Sequence, residues 1–199
     1  MPADREGSHT AMRRLIIERS AIRNNMAAIK ERAQGAALYG VVSGQGGGVG
    51  AVRLARLLRD AGVTRFGVNS VEEAQLLRES GFETEEILML RSTVDREELE
   101  QLVDLSVVCT VSSVDTGLAL NAVAENRSTV AEAHIQVDTG LGFGGFLISE
   151  PEKILLAYRS LPNVALSGIY TQLHAVTGKS QEVDGQLGQF QQVLEAIHQ

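Results

Sequence analysis

The sequence has little of what several classes of protein need. Among 199 residues it contains one cysteine and no tryptophan, so it cannot form an internal disulfide and has no cysteine cluster to hold zinc. Acidic residues outnumber basic ones by 25 to 18, which gives a formal net charge of −7. A nucleic-acid partner needs a clustered basic surface, so this balance argues against one. The single thiol favours a reducing, cytoplasmic setting.

Long hydrophobic runs are also missing. No apolar stretch approaches the ~20 residues that a membrane-spanning helix requires, and residues 1–11 lack the apolar core of a signal peptide. We expect residues 1–11 to be a polar arm or the remnant of a tag. The hydrophobic fraction of 44% and the charged fraction of 22% are typical of a globular protein. Residues 12–199 are therefore predicted to form one domain.

Short β-branched runs alternate with longer amphipathic stretches along this domain. A leading helix is predicted from Ser20, a good N-cap residue, to about Ala33. Strands are predicted to begin near residues 38, 65, 87, 107, 133 and 164, with a helix after each. Parallel strands need a covering helix between them, so this alternation predicts consecutive βα units.

The predicted fold class is α/β, and both a TIM-type (β/α) barrel and an open doubly wound sheet fit the alternation. A closed barrel has eight strands and about 250 residues. The sequence supplies six strands, so a barrel would be incomplete, with about six of eight βα units. Its two unpaired parallel edges would invite a second copy of this chain or another, barrel-completing chain.

Several short motifs follow one another in register from about residue 13 onwards. They include Phe66-Gly67-Val68 with Glu72-Glu73-Ala74, then Val111-Ser112-Ser113, then Val137-Asp138-Thr139-Gly140-Leu141-Gly142, and finally Gly168-Ile169-Tyr170-Thr171. Together these segments resemble the N-terminal barrel domain of the alanine racemase family. The resemblance implies a TIM-type barrel, the cofactor pyridoxal phosphate (PLP) and an ancestral chemistry of amino-acid racemisation. The family continues through strands seven and eight into a C-terminal β-domain, and we expect neither here.

The residues that match the family's cofactor contacts are replaced in this sequence. By the resemblance, the lysine that forms the PLP imine corresponds to Ser43, and a hydroxyl cannot form an imine. A tyrosine after it corresponds to Gly47, and a strand lysine that some members carbamylate corresponds to Gln136. An arginine over the cofactor corresponds to Phe143, and a histidine after the sixth strand corresponds to Gln172.

These replacements predict a domain that is inactive as a racemase, with no catalytic residue intact and covalent PLP binding lost. The three lysines of the chain, Lys30, Lys153 and Lys179, lie elsewhere than the imine position. Candidate cofactor contacts are Ser43, Gly47, Gln136, Phe143, Gln172 and His174. Two alternatives stay open. One is a PLP-dependent isomerase with unusual, reversible cofactor binding. The other is a phosphate or nucleotide module at the Gly46–Ala51 loop, where G-x-G-x-x-A follows a strand.

Three further predictions concern single residues. His134, Gln136 and Asp138 have the period-two spacing of one strand face, which predicts polar side chains that line the barrel interior. His174 is predicted to be a solvated loop histidine, because no partner for a nucleophile pair is identifiable. Cys109 lies in a predicted strand and is expected to be a small buried hydrophobe.

Overall fold

The computed structural model describes residues 15–174 and 181–197. The strands are β1 (Tyr39–Val41), β2 (Arg65–Val68), β3 (Glu86–Met89), β4 (Cys109–Val111), β5 (Ala131–Asp138), β6 (Phe146–Leu147) and β7 (Val164–Thr171). The helices are α1 (Arg19–Ala33), α2 (Ser43–Gly47), α3 (Ala51–Asp60), α4 (Val71–Glu79), α5 (Arg96–Asp104), α6 (Val114–Asn126), α7 (Pro151–Ser160) and α8 (Gln181–Ile197). None of the helices in these two ranges has the length and apolar character to cross a membrane.

The strands form a curved wall in which every pairing is parallel. β2 pairs with β1 and β3, a single bridge from Leu88 to Val108 joins β3 to the β4 side, and β5 pairs with β4 and β7. Each of the six longer strands leads into a helix, β5 by way of β6, and this order confirms the predicted α/β fold and its six βα units. Within the described residues β1 and β7 each pair on one side only, so the wall has two open edges.

The two-residue strand β6 was not predicted. Phe146 of β6 pairs with Val137 near the end of β5, where β7 already occupies the other side of that strand. The loop between β5 and β6 contains Gly140, Gly142, Gly144 and Gly145, all with positive φ. These glycines allow the chain to turn back sharply enough to pair β6 with the strand it has just left.

Three helices begin with a polar N-cap residue shortly after the strand that precedes each of them. Ser70 accepts the amide of Glu73 at 3.2 Å at the start of α4, and Asp95 accepts the amide of Glu98 at 2.9 Å at the start of α5. Ser113 forms a capping box with Thr116 at the start of α6. The leading helix begins earlier than the sequence predicted. It begins at Arg19, with Glu18 rather than Ser20 at the N-cap and no side-chain capping bond.

The core lies between the strand wall and the helices that cover it. Phe66 of β2 and Phe82, which precedes β3, are both fully buried and meet edge to face with ring centroids 5.2 Å apart. Leu77 of α4 and Ile154 of α7 are fully buried in the same apolar cluster. Burial of side chains this large supplies most of the driving force for folding, at about 25 cal/mol per Å² of apolar surface.

Candidate functional site

A cavity of about 650 Å³ opens at the carboxyl ends of the strands. This is the end at which active sites form in βα barrels, and the volume suits a small organic ligand. Its neutral polar lining consists of Ser43, Asn69, Ser92, Gln136, Thr171 and Gln172. Val41, Leu90, Phe143 and Tyr170 supply its apolar and aromatic surface, and Arg91 supplies its charge. We call this space the mouth cavity.

Four of the predicted site residues meet in the mouth cavity. Ser43 follows β1, Gln136 lies on β5, Phe143 lies in the loop between β5 and β6, and Gln172 follows β7, so four separate segments bring them together. Gln136 is buried, whereas Phe143 is exposed. Their shared location matches the resemblance, and a binding role for each of them stays a prediction. Gly47 and His174, the other two candidates, do not line the cavity.

Arg91 is a site residue that the sequence analysis missed. Its Nε donates to the backbone carbonyl of Asn69 at 3.2 Å, and its Nη2 donates to Oε1 of Glu98 at 2.8 Å. The hydrogen bond with Glu98 raises the pKa of Arg91, and the same bond lowers the pKa of Glu98. Both groups are therefore charged at neutral pH. The position of Arg91 directly after β3, at the strand end where barrel sites form, was the available signal.

Tyr170 forms part of the cavity wall and is tied to two other strands. Its hydroxyl lies 2.9 Å from Oγ1 of Thr110 on β4 and donates to the carbonyl of Leu90 at 3.4 Å. Oγ1 of Thr110 in turn donates to the carbonyl of Met89 at 2.6 Å. Burial raises the pKa of Tyr170, so the phenol stays neutral and acts only through hydrogen bonds.

The segment after β7 is held by a buried glutamine from α8. Oε1 of Gln186 accepts the amide of His174 at 2.8 Å, and Nε2 of Gln186 donates to Oγ1 of Thr139 at 3.1 Å. Oγ1 of Thr139 also lies 2.8 Å from Oγ1 of Thr171. This network fixes the backbone on both sides of Gln172. The His174 ring itself is more than half exposed, and its Nδ1 lies 3.7 Å from a carboxylate oxygen of Glu182.

The described residues of the mouth do not fit an imine-bound PLP. Nζ of Lys30 donates to the carbonyl of Ala61 at 2.7 Å, in the segment that enters β2 at the opposite end of the barrel. Nζ of Lys153 pairs with Glu150 at 2.8 Å and does not line the mouth cavity. Lys179 lies outside the described residues. An imine needs a primary amine, and the mouth cavity as described offers hydroxyl, amide and guanidinium groups instead.

The glycine-rich loop after β1 takes an unusual path. The helical turn α2 is left-handed, because Gly44, Gln45, Gly46 and Gly47 all have φ between 57° and 64°. Glycine has no Cβ to clash in this conformation, which explains why three of the four residues are glycine. The sequence predicted only a loop here.

That path engages several of the loop amides in bonds within the protein. The amide of Gly44 donates to Oε1 of Glu73 at 2.8 Å, and the amide of Gly46 donates to the carbonyl of Val42 at 2.9 Å. The amides of Gly48 and Gly50 both donate to the carbonyl of Gln45. Because a carboxylate already lies against the loop, the geometry opposes the predicted phosphate or nucleotide site at Gly46–Ala51.

The remaining single-residue predictions have clear structural positions. His134 faces the barrel interior, where its ring meets that of Tyr39 from β1 with centroids 6.4 Å apart. Asp138 accepts the amides of Gly140 at 2.9 Å and Gly142 at 3.0 Å, which fixes the turn after β5. Cys109 is buried, and burial raises the pKa of its thiol to about 12, so it is an unreactive core residue as predicted.

Known proteins with the same arrangement include several alanine racemases. The chain is 31% identical over 180 residues to an alanine racemase of Desulforamulus reducens. This match covers 89% of this chain and 48% of that protein. The solved alanine racemase of Clostridium difficile 630 superposes with a TM-score of 0.82 at 25% identity, over 90% of this chain and 47% of that one. The crystal structure of the alanine racemase from E. faecalis gives a TM-score of 0.77 at 31% identity, over 90% of this chain and 49% of that one.

The chain therefore spans about half the length of the relatives it matches. The family model described as "Alanine racemase, N-terminal domain" matches residues 17–199, which is most of the sequence. On this match, and on the six parallel βα units that carry the mouth cavity, the chain belongs to the family of alanine racemase N-terminal domains.

Proposed function

We propose that this domain is a catalytically inactive alanine racemase-like barrel whose mouth cavity takes a small molecule without forming an imine. The observation that carries the proposal is the hydroxyl of Ser43 at the mouth cavity, in the position that the resemblance assigns to the imine-forming lysine. Racemisation in the family depends on that imine, because it lets PLP act as an electron sink. A serine hydroxyl supplies no equivalent bond.

The distribution of the replacements supports the proposal. Ser43, Gln136, Phe143 and Gln172 depart from the family pattern, and all four line one cavity. Scaffold features around them are intact, including the Asp138 turn and the three polar helix caps. Random drift across the whole chain would damage caps and turns as readily as the cavity. The pattern therefore favours a domain released from PLP chemistry over one that is merely decayed.

The test is an absorbance and activity measurement on the 199-residue chain. PLP is added, unbound cofactor is removed by desalting, and the visible band of a PLP imine and the conversion of L-alanine to D-alanine are measured. We expect neither signal. The matched control is Ser43→Lys, which restores an amine at the mouth and is expected to retain the band. A retained band and racemisation by the parent chain would establish the alternative, an unusual PLP-dependent isomerase.

We also propose that the open edges at β1 and β7 pair with further polypeptide in the working protein, either a second copy of this chain or a barrel-completing chain. An exposed strand edge presents unpaired backbone groups, and native proteins cover or pair such edges. Val41, on the β1 edge, is half exposed although it also lines the mouth cavity. Sedimentation of the isolated chain distinguishes a self-paired assembly from a monomer that needs a partner. A cytoplasmic location remains part of this proposal, in keeping with the single buried thiol.

A further inference from the structure

Among the residues that the structure describes, Arg91 is the one charged side chain that lines the mouth cavity. Its guanidinium is oriented by two hydrogen bonds, one to the carbonyl of Asn69 and one to the carboxylate of Glu98. A side chain held at both Nε and Nη2 loses little further freedom when it binds a ligand. Arg91 is therefore a positioned cation rather than a mobile surface arginine, and its side chain is 45% exposed.

The bonds of Arg91 leave part of its hydrogen-bonding capacity for a ligand. A guanidinium carries five N–H donors in a planar fork that matches the two oxygens of a carboxylate. The bonds to Asn69 and Glu98 use two of these donors. Among the described residues that line the mouth cavity none is a carboxylate, so an anion that enters it finds Arg91 as the charge these residues supply.

The charge balance around Arg91 favours an anion with a single charge. Glu98 already pairs with Arg91 at 2.8 Å, and Glu72 also interacts with it electrostatically. A doubly charged phosphate would be repelled by both glutamates and attracted by only one guanidinium. A carboxylate carries half that charge and matches the fork geometry.

The rest of the mouth cavity suits a flat apolar body. Phe143 lines the cavity with 74% of its surface exposed, and Leu90 and the ring of Tyr170 line it as well. Aromatic side chains gain contact energy by stacking on planar groups. The ring of Phe143 at the rim of the cavity therefore offers a planar apolar surface on which a flat ligand can stack.

We propose that the mouth cavity binds a small aromatic carboxylate, with its carboxylate on Arg91 and its ring against Phe143 and Leu90. This inference rests on the proposed function, because a cavity without an imine-bound cofactor has room for such a ligand. The ligand is a monoanionic carboxylate on a flat apolar body, and two residues distinguish it from other small molecules. Arg91 selects the charge, and Phe143 selects the planar ring.

The experiment compares three probes by calorimetric titration of the 199-residue chain. Benzoate has both the charge and the ring, benzamide keeps the ring without the charge, and inorganic phosphate has charge without a ring. We expect benzoate to bind at least about tenfold more tightly than benzamide, because one charge-assisted bond supplies that difference. Phosphate is expected to bind more weakly than benzoate. Equal binding of benzoate and benzamide, or no binding of benzoate, would overturn the inference.

Variants connect the binding to the two residues. Arg91→Gln is expected to abolish the preference for benzoate over benzamide, and Arg91→Lys to restore part of it through charge without the planar fork. Phe143→Ala, at an exposed position that folding does not depend on, is expected to weaken both aromatic probes alike. Arg23→Gln removes an exposed arginine of α1 outside the cavity and is the matched control, with unchanged binding. Benzoate affinity that is unchanged in both Arg91→Gln and Phe143→Ala would contradict the assignment.

The outcome is separable from the test of the proposed function. A PLP imine in the parent chain would defeat the proposed function regardless of the benzoate result. Benzoate binding that ignores Arg91 would defeat this inference and leave the inactive-barrel proposal intact.

Discussion

The ring of His134 on β5 meets the ring of Tyr39 on β1 across the barrel interior, with centroids 6.4 Å apart and planes at 79°. Three strands separate β1 from β5 in the wall, so this edge-to-face contact forms only because the wall curves around a filled interior. The back of the His134 ring lies against Gly168 on β7, where an added Cβ would be 2.7 Å from Cδ2 and Nε2. The interior side of the incomplete barrel is therefore packed by side chains from strands on both sides of the opening.

The close approach of His134 to Gly168 gives a stability prediction. Gly168→Ala is expected to lower the free energy of unfolding by about 1–3 kcal/mol, because the added methyl overlaps a ring that is packed on its other side. Urea unfolding followed by circular dichroism measures the change. Gly188→Ala is the control: it lies in α8 with open space around its Cα, and alanine there is expected to stabilise by about 0.5–1 kcal/mol.

A double variant separates the overlap from other effects of the same substitution. His134→Ala removes the ring, so Gly168→Ala made in that background is expected to cost little. An equal cost of Gly168→Ala with and without the ring would show that the contact does not cause the destabilisation.

The surroundings of His134 also predict a pH effect on stability. Burial lowers the pKa of His134, and Arg65 lowers it further, whereas Glu132 acts in the opposite direction. The folded state then binds fewer protons than the unfolded state around the ordinary histidine pKa. The stability that neutral His134 contributes is accordingly present above that range and is lost as the pH falls through it. Glu86, whose pKa is raised by burial, acts in the opposite sense, so the comparison needs a variant.

The variant is His134→Gln, studied by urea unfolding at several pH values between about 5 and 8, a range that spans the ordinary histidine pKa. We expect the parent chain to lose stability relative to the variant as the pH falls. Only in the parent chain does residue 134 take up a proton when the protein unfolds, and this uptake favours the unfolded state. A difference between the two that stays constant over this range would contradict the assignment.

Glu73 is predicted to hold the left-handed turn α2. Its Oε1 accepts the amide of Gly44 at 2.8 Å, and its Oε2 accepts the amide of Asn69 at 3.0 Å, so one carboxylate joins the ends of β1 and β2. Glu73→Gln leaves a single oxygen acceptor and is expected to cost about 1 kcal/mol. Hydrogen exchange should accelerate at Gly44 or Asn69.

Glu72→Gln is the matched control for this change. Glu72 lies beside Glu73 in the first turn of α4, so both substitutions remove a favourable charge from the same helix start. Exchange at Gly44 is expected to stay slow in Glu72→Gln. Slow exchange of both amides in Glu73→Gln would show that the turn holds its shape without the carboxylate.

Restoring the amine alone is predicted not to restore activity. Ser43→Lys places a primary amine at the mouth cavity and is expected to take up PLP. Racemisation of alanine should remain absent, because Phe143 and Gln172 still occupy the positions that the resemblance assigns to an arginine and a histidine. A coupled assay for D-alanine measures this. Appreciable turnover by the single variant would mean that fewer of the cavity residues matter than the proposal requires.

The six main strands were predictable because each is a short β-branched or apolar run, and burial on both faces of a parallel strand needs such a run. β6 was not, because a two-residue strand at Phe146–Leu147 has no periodicity to detect. The N-cap of α1 was misplaced by two residues, at Ser20 instead of Glu18. Ser20 has the right side chain for a cap, but the helix continues through it from Arg19, and residue type alone does not settle where the first turn begins.

Positions that depend on three-dimensional contacts were the least predictable. The glycines after β1 predicted a loop, but α2 is left-handed and its Gly44 amide bonds to Glu73, which lies 29 residues away along the chain. The sequence drew no attention to Arg91, because its two anchors, Asn69 and Glu98, come from separate segments. Ser43, Gln136, Phe143 and Gln172, four of the six cofactor contacts that the resemblance implied, line one cavity, and Gly47 and His174 do not. A binding role for each stays a prediction. The resemblance carried positional information that composition and periodicity lack.

The central claim, that this barrel holds no imine, is tested most directly by intact mass spectrometry. The 199-residue chain is incubated with PLP, treated with borohydride, and weighed alongside Ser43→Lys treated in the same way. Borohydride fixes an imine as a stable amine, so a covalent adduct adds the mass of the reduced cofactor. We expect an unmodified parent chain and a singly modified Ser43→Lys variant. A stoichiometric adduct on the parent chain, mapped by peptide digestion to Lys30, Lys153 or Lys179, would show that the barrel does form an imine.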